Sequence, residues 1–477
     1  MKRLALPLLS GLLLSGCTLG PDFKTPEPPK VATYAAKGDA AAPDDQRVAL
    51  GKAIEGNWWT GLRSPSLDDT IRQALAGNLD IEEARQRMAE AEEQVNVAEG
   101  ALLPQVSLGA TAGRQKYGKS LFGPLNIAIP PFTYYSVGPI VTFPLDLFGG
   151  QRRTVEEQQA FLDYQHHELD AAYQSLTAHV AVEALALAAA RAQIDTVQAI
   201  IAEDQRNADL VQQAIIAGSG TRVQLVSAQS QLAQDRALLP DLRQNEAVAR
   251  HALAILTGKA PAEWSPPNFA LTDFTLPDEL PVSLPSELVH RRPDIQAAEA
   301  QLHVASAAIG VATANLYPNI SLSATVTQQA LTPGGLFNSV SNAWSIAGNL
   351  TQPIFDGGRL SAEKRAAVDN YQAQLANYRQ TILTAFGDVA DRLQALANDA
   401  DRVKALEAAA ETAGQSLELA RASYQAGNSG ILDVIDAERR YAQAELGLSR
   451  AKAQRLMDTA ELYLAVGNAT VTPDPAH

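Results

Sequence analysis

The sequence predicts an α+β membrane protein in which one structural plan occurs twice. Three observations support this prediction: an internal repeat, two very long helical stretches, and uncharged segments whose side chains alternate in polarity. Each half is predicted to contain a helix, a β-hairpin, a long helix and a returning helix. Only 6% of the 477 residues are aromatic, which favours long helices packed through small side chains over one compact core.

The internal repeat consists of matching segments that occur in the same order, about 210 residues apart. AGSGTRVQLVSAQ (217–229) aligns with AGNSGILDVIDAE (426–438) without a gap. The other matches are LPQVSLGA with YPNISLSA, NLDIEEA with RPDIQAA, and FPLDLFGGQ with QPIFDGGR. Because the order is shared, we predict duplicated halves, the first half at 67–257 and the second half at 286–466.

The long helical stretches run from 151 to 217 and from 359 to 426. The first contains no Gly or Pro, and the second contains only Gly387 and Gly414. Both are rich in good helix formers such as Ala, Gln and Leu. Each would be roughly 100 Å long, which is too long for a globular domain, so we expect projecting rods. An ordinary coiled-coil hairpin would have the same pattern.

The uncharged segments predict membrane-crossing strands. No Asp, Glu, Lys or Arg occurs in 120–145 or 300–355, although 19% of the chain is charged. Apolar and small polar residues alternate there, whereas a soluble β-sandwich would carry charges on its solvent face. Strands are predicted at about 104–117, 133–146, 318–329 and 343–355. An interfacial aromatic girdle would comprise Tyr117, Phe132, Tyr134, Tyr135, Phe337 and Trp344.

Four strands per chain predict an oligomer. The smallest membrane barrels need about eight strands. An open sheet edge in lipid leaves backbone groups without hydrogen bonds, at several kcal/mol per group. We therefore expect the chain to assemble with cyclic symmetry. Two, three or more copies would each supply enough strands to close a barrel.

The N-terminus is predicted to be a lipoprotein signal peptide at 1–16 followed by an acylated Cys17. Lys2 and Arg3 precede an apolar run too short to span a bilayer, and LSGC then resembles the bacterial lipobox. A buried structural cysteine is the alternative, but the chain has no second cysteine. Acyl chains would anchor the protein, and Thr18, in place of the aspartate that retains lipoproteins at the inner membrane, favours the outer membrane.

Composition and motifs exclude several function classes. The chain is acidic, with a formal charge of −15, so nucleic-acid binding is not expected. No run of 18 apolar residues occurs, so we expect no membrane-spanning helix. His166 and His167 point about 100° apart on a helix, and no histidine pair has a third ligand nearby in sequence. With no phosphate-binding loop or G-x-S-x-G elbow, we expect no enzyme activity, metal or cofactor.

Several motifs together resemble the TolC-like outer-membrane factors, and more narrowly their lipoprotein branch in tripartite resistance-nodulation-division (RND) efflux pumps. These motifs are the lipobox, GPDF (20–23), RRPDIQAAEAQL (291–302), QPIFDGGRL (352–360) and the turn at 426–438. The resemblance extends over essentially all of the mature chain. It implies a homotrimer in which twelve strands close one outer-membrane β-barrel and twelve helices form a periplasmic α-barrel. A mixed equatorial domain would comprise 17–66, the linker 258–285 and the tail 467–477.

The resemblance also implies a function and partners. The chain would be the passive exit duct for small molecules such as drugs or toxic compounds. Its partners would be a periplasmic adaptor (membrane fusion) protein, an inner-membrane RND transporter and outer-membrane lipid. A structural lipoprotein that spaces the envelope, and a type I secretion duct, remain alternatives. The uncharged strands favour a duct, because a spacer needs only its acyl anchor.

The duct is expected to have a gate at its periplasmic end. In the family, aspartates corresponding to Asp433 and Asp436 ring the narrow opening, so a trimer would present up to six carboxylates that attract cations. The simpler alternative is helix capping by acids near a helix start. Leu432 would add an apolar collar, and Tyr424 would help to hold the end closed. Ser429 stands where some members have an arginine that links neighbouring helices.

Glycines are expected at the points where the chain changes direction. Strand-to-helix bends are predicted at Gly149, Gly150, Gly357 and Gly358. Turns at the helix tips are predicted at Gly218, Gly220, Gly427 and Gly430.

Overall fold

The computed structural model describes residues 18–39, 46–52, 54, 56–118 and 129–467. The helices are α1 (Pro65–Gly77), α2 (Leu79–Gly100), α3 (Gly150–Ile216), α4 (Arg222–Arg236), α5 (Leu239–Leu256), α6 (Pro285–Leu288), α7 (Pro293–Ala314), α8 (Arg359–Gln425) and α9 (Ile431–Val466). The strands are β1 (Arg47–Leu50), β2 (Gln105–Gln115), β3 (Phe132–Leu145), β4 (Glu279–Val282), β5 (Asn319–Ala330) and β6 (Asn342–Thr351). The expected signal peptide, Cys17 and the tail after Gly467 lie outside the described residues.

The chain divides into two compact units, and each unit contains pieces of both halves. Unit 1 comprises Met1–Pro26, Arg87–Gln165 and Ala298–Tyr378. Unit 2 comprises Glu27–Gln86, His166–Ala297 and Arg379–His477. The order α2-β2-β3-α3 in the first half recurs as α7-β5-β6-α8 in the second half.

Unit 1 contains a four-stranded antiparallel sheet in the order β2-β3-β5-β6. The central pair, β3 with β5, joins the two halves, and its register skips Gly138 and Pro139. Proline has no N–H to donate at such a point. The four predicted strands are confirmed, although β6 ends at Thr351, just before Pro353.

Strands β2 and β6 form the two edges of this sheet, and large apolar side chains on them are exposed. The exposed residues are Val106 and Leu108 on β2, and Trp344, Ile346 and Leu350 on β6. An apolar sheet with two open edges would aggregate in water and leave backbone groups without hydrogen bonds in lipid. In the part of the chain that the structure describes, each of these two edge strands pairs on one side only.

The long helices are confirmed, because α3 and α8 each contain 67 residues. The returning helix differs between the halves. In the second half it is the single helix α9, whereas in the first half it is divided at Leu238 into α4 and α5. Ala237 and Leu238 at the break keep a right-handed helical backbone, so α5 continues the path of α4 after a short interruption. Pro240 opens the first turn of α5, where its missing N–H costs no helical hydrogen bond.

Helix α3 also departs from one expectation about membranes. Among the described residues it contains a stretch long and apolar enough, by length and composition alone, to cross a bilayer. Part of that stretch is buried, 44% by residue count, and core helices of soluble domains meet the same criterion. The stretch is therefore weak support for a spanning helix.

Unit 2 contains a second, two-stranded sheet that joins distant parts of the chain. Strand β1, from the N-terminal segment, pairs in parallel with β4, from the linker between the halves. Trp58 stacks on Tyr463 of α9 with ring centroids 4.9 Å apart. Arg455 of α9 donates to Gln46 at 2.8 Å. The N-terminal segment, the linker and the end of α9 thus pack together.

Candidate functional site

Each long helix ends in a glycine turn of similar geometry, and we call the two turns and the adjoining helix ends the tip. After α3, Gly218 has a φ of 80°, and the N–H of Gly220 donates to the carbonyl of Ala214 at 2.9 Å. After α8, Gly427 has a φ of 73°, and the next N–H donates to the carbonyl of Ser423 at 2.9 Å. A left-handed glycine closed by such hydrogen bonds is a common helix stop.

The bends between strands and long helices are also left-handed. Positive φ angles occur at Gly149 (75°), Gly357 (68°) and Gly358 (87°), and Gly150 is the first residue of α3. At each bend an aspartate accepts N–H groups at the start of the helix. Asp146 accepts from Gln151 at 3.0 Å, and Asp356 accepts from Leu360 at 2.9 Å. Both helices therefore start from a side-chain cap.

The aspartates expected at the gate interact within their own chain. Asp433 accepts the N–H of Gly430, the residue before α9, at 3.0 Å. Asp436 accepts a hydrogen bond from Arg439 at 2.6 Å and pairs with Arg440 at 2.8 Å. The hydrogen bond from Arg439, together with the charges of both arginines, lowers the pKa of Asp436. Asp433 thus caps α9, and arginines that the sequence analysis did not consider offset part of the acidic charge.

Leu432 and Tyr424 have different surroundings. Leu432 is 42% exposed, whereas Tyr424 packs against an apolar cluster at the tip. That cluster comprises Ala208, Val211, Ala228, Leu417, Ile431, Val434, Ile435 and Ala437. The hydroxyl of Ser429 makes no hydrogen bond to the described part of the chain. Ser429 therefore does not connect the helices as an arginine could.

Arg421, which the sequence analysis did not single out, connects helices near the tip. It donates to Glu203 of α3 at 3.3 Å and to Glu438 of α9 at 2.8 Å. The side chain of Glu438 is only 9% exposed and also accepts a hydrogen bond from Asn207. We call these four residues the tip clasp. The available sequence signal is Glu438 itself, one turn after Val434 on the apolar face of α9, because a buried acid needs a partner.

Next to the tip clasp is a buried carboxyl group whose pKa is raised. Asp204 of α3 is 5% exposed. Burial raises its pKa to about 8, and the hydrogen bond and charge of Asp235 on α4 act in the same direction. Asp204, Glu203, Arg421 and Glu438 line one cavity of about 440 Å³. The cavity therefore has an acid whose neutral form is favoured beside charged groups.

The expectation that no histidine pair has a third ligand is wrong. Nδ1 of His166 lies 3.3 Å from Oδ2 of Asp170, and Nδ1 of His167 lies 4.0 Å from the same oxygen. The spacings of four and three residues place the carboxylate one helical turn away from both rings. The angle between the two histidines therefore does not prevent both rings from lying near one carboxylate.

The segment after Cys17 is fixed to the start of α3. The N–H of Leu19 donates to the carbonyl of Phe148 at 3.2 Å. Arg153, with a side chain only 4% exposed, donates to the carbonyl of Leu19 at 3.1 Å and pairs with Asp22 at 2.7 Å. Phe23 stacks on His303 of α7 with ring centroids 4.4 Å apart. We call residues 18–23 the N-terminal strap.

A four-stranded sheet with open edges, joined to two helices of 67 residues that end in closed turns, is the architecture of a TolC-like outer-membrane channel subunit. The chain belongs to the family described as outer membrane efflux protein, whose sequence model matches residues 70–259 and 284–468. The predicted family, outer-membrane location and efflux-duct function are thereby confirmed. The family is one of channels, which agrees with the expectation that the chain is not an enzyme.

Individual relatives are similar over nearly their whole length. Nodulation protein T of Rhizobium leguminosarum bv. viciae is 30% identical over 481 residues, covering 99% of this chain and 95% of that protein. Outer membrane protein OprJ of Pseudomonas aeruginosa is 29% identical over 462 residues, covering 96% and 94%. The solved structure of the outer-membrane channel OprN matches with a TM-score of 0.85 at 28% identity, covering 96% of this chain and all of that one.

Proposed function

We propose that three copies of this chain form the exit duct of a tripartite efflux pump in the outer membrane. The open sheet of unit 1 is the observation that carries this proposal, because its edge strands β2 and β6 need partners. Pairing β6 of one copy with β2 of the next would supply the missing hydrogen bonds. Three copies would give twelve strands, enough for a closed barrel. Their long and returning helices would give a twelve-helix periplasmic tunnel.

The assembly can be tested on the purified protein in mild detergent. We expect a trimer by light scattering, with a mobility on gels that changes on heating, and both helix and strand by circular dichroism. A monodisperse monomer that keeps both signals would refute the barrel and the tunnel together.

The proposed partners follow from the family. A periplasmic adaptor protein would engage the tip, and an inner-membrane RND transporter would supply the energy for exporting small molecules. The duct itself is passive. Expression with and without a matching adaptor and transporter should separate passive leakage from active export, and active export by this chain alone would contradict the passive role.

We propose that the tip is the gate, with Asp433 and Asp436 at its opening. In a planar bilayer, Asp433→Ala with Asp436→Ala should weaken cation selectivity and block by multivalent cations. Arg439→Gln with Arg440→Gln removes positive charge beside the aspartates. It should therefore strengthen both cation selectivity and block by multivalent cations. Unchanged reversal potentials in both double variants would leave the aspartates with helix capping alone.

The tip clasp is proposed to hold the gate closed, in the role that an arginine at position 429 has in some family members. Arg421→Ala would leave Glu438 buried without its cation, so the packing of α3, α8 and α9 should loosen and the resting conductance should rise. Arg206→Ala is the matched control, because Arg206 is 62% exposed and pairs with Glu203 within α3. Equal conductance of the two variants would exclude the clasp as the closing element.

A further inference from the structure

Two imidazoles and a carboxylate converge on the surface of α3, on residues that belong neither to the tip nor to the N-terminal strap. The ligand atoms of His166, His167 and Asp170 all lie within 4.8 Å of one another. We propose that these three residues form a binding site for one borderline transition-metal ion, Zn²⁺ being the representative.

The separations of the ligand atoms suit such an ion. Zinc lies about 2.0–2.2 Å from nitrogen and oxygen ligands, so two ligands of a tetrahedral ion are roughly 3.3–3.5 Å apart. The distance of 3.3 Å between His166 Nδ1 and Asp170 Oδ2 already has this value. The distance of 4.0 Å from His167 Nδ1 is longer, and a rotation of the partly exposed His167 side chain, which is 26% exposed, would shorten it.

The donor set selects the class of metal. Imidazole nitrogen binds zinc, copper and nickel, whereas calcium and magnesium prefer sites made of oxygen alone. Three protein ligands leave a coordination position for water, as in open zinc sites. The side chain of His166 is 57% exposed and that of Asp170 is 21% exposed, so an ion and its water can reach the site.

The same groups without a metal would form an ordinary helical ion pair of His166 with Asp170. The position of His167 argues for more than a pair, because both Nδ1 atoms face one carboxylate oxygen and the rings lie 5.7 Å apart. Two protonated imidazoles at this distance repel each other, whereas a metal ion binds both in their neutral form.

The test is calorimetric titration of the chelator-treated, full-length protein with ZnCl₂. We expect one zinc per chain, binding at least tenfold weaker in Asp170→Asn, and loss of this binding in His166→Ala with His167→Ala. His179→Ala is the matched control, since His179 is another exposed histidine on α3 and should leave binding unchanged. Circular dichroism of each variant checks that the fold is retained.

A second measurement identifies the ligands. With Cu²⁺ in place of Zn²⁺, electron paramagnetic resonance should show splitting from two nitrogen ligands in the wild type and in His179→Ala, and lose it in the double variant. Wild-type protein that takes up no zinc, or a double variant that binds zinc as the wild type does, would overturn the proposal. Neither outcome depends on whether the chain forms a conducting trimer.

Discussion

Gly138 lies where β3 and β5 approach each other closely, so the smallest added side chain should disturb the sheet. A Cβ at this position would lie 2.1 Å from the carbonyl oxygen of Val326 and 2.6 Å from the Cα of Thr327. Carbon and oxygen atoms on neighbouring strands are normally about 3.3–3.6 Å apart. Gly138→Ala therefore requires the two strands to separate by roughly 1 Å at this point.

The cost of this separation can be estimated from the atoms involved. Overpacking a well-packed region costs typically about 1–3 kcal/mol. Both close contacts are with backbone atoms, which cannot rotate away as a side chain can. We therefore expect Gly138→Ala to lower the stability of the sheet by an amount near the upper end of this range, about 3 kcal/mol per chain. Because β3 with β5 joins the two halves, the loss should affect assembly of the whole sheet.

The assay is the yield of heat-modifiable oligomer and its thermal midpoint, with two other Gly→Ala variants in the same sheet as comparisons. Gly348→Ala in β6 would contact only Leu322, at an ordinary 3.7 Å, and should assemble as the wild type does. Gly109→Ala in β2 would come within 2.9 Å of Cδ1 of Ile140, a side-chain atom that can move, and should have an intermediate effect. Equal yields and midpoints for Gly138→Ala and Gly348→Ala would refute the close approach of β3 and β5.

Cys17→Ser should abolish metabolic labelling by palmitate while the sheet still assembles, and persistent labelling would contradict the lipobox. Asp204→Asn should stabilise the protein relative to wild type at alkaline pH. The folded pKa of Asp204, about 8, exceeds its ordinary value of 3.8. The stability that the bound proton contributes is therefore complete below pH 3.8 and is lost as pH rises through the folded pKa. The loss has a slope of at most about 1.4 kcal/mol per pH unit. The difference between the thermal midpoints of variant and wild type should therefore grow as pH rises from the ordinary 3.8 to about 8 and level off above it, and a pH-independent difference would mean that Asp204 is ionised in the fold. Arg153→Ala should expose the N-terminal strap to limited proteolysis. The control Arg359→Ala should not, because Arg359 is 60% exposed and pairs only with Glu363, one turn along α8, in the part of the chain described. Equal cleavage of the two variants would show that Arg153 does not hold the strap.

The strands and long helices could be predicted because their signals are local. Alternating polarity marks β5, and a stretch free of Gly and Pro marks α3. The division of the first returning helix was missed, although Pro240 marks it in the sequence. A proline in the first turn of a new helix interrupts the helical pattern very little, so the repeat with α9 concealed the boundary.

The side-chain arrangements could not be predicted in the same way. Arg421 and Glu203 are 218 positions apart in sequence, and no periodic pattern relates them. The cluster of His166, His167 and Asp170 was missed for a different reason. Adjacent histidines diverge on a helix, but the carboxylate of Asp170 lies one turn onward and within reach of both rings. The informative spacings were those from each histidine to Asp170, not the spacing between His166 and His167.

The junction between α4 and α5 gives the two halves different mechanical properties. Helix α9 runs for 36 residues without interruption, whereas its counterpart in the first half changes helix at Leu238. A continuous helix bends like an elastic rod along its whole length, but a chain with a proline-marked junction bends at one point. A bending load on the first returning helix would therefore concentrate at residues 237–238, where the helix is interrupted, whereas α9 would distribute the same load over its 36 residues. The duplicated halves would thus differ in where their returning helices bend.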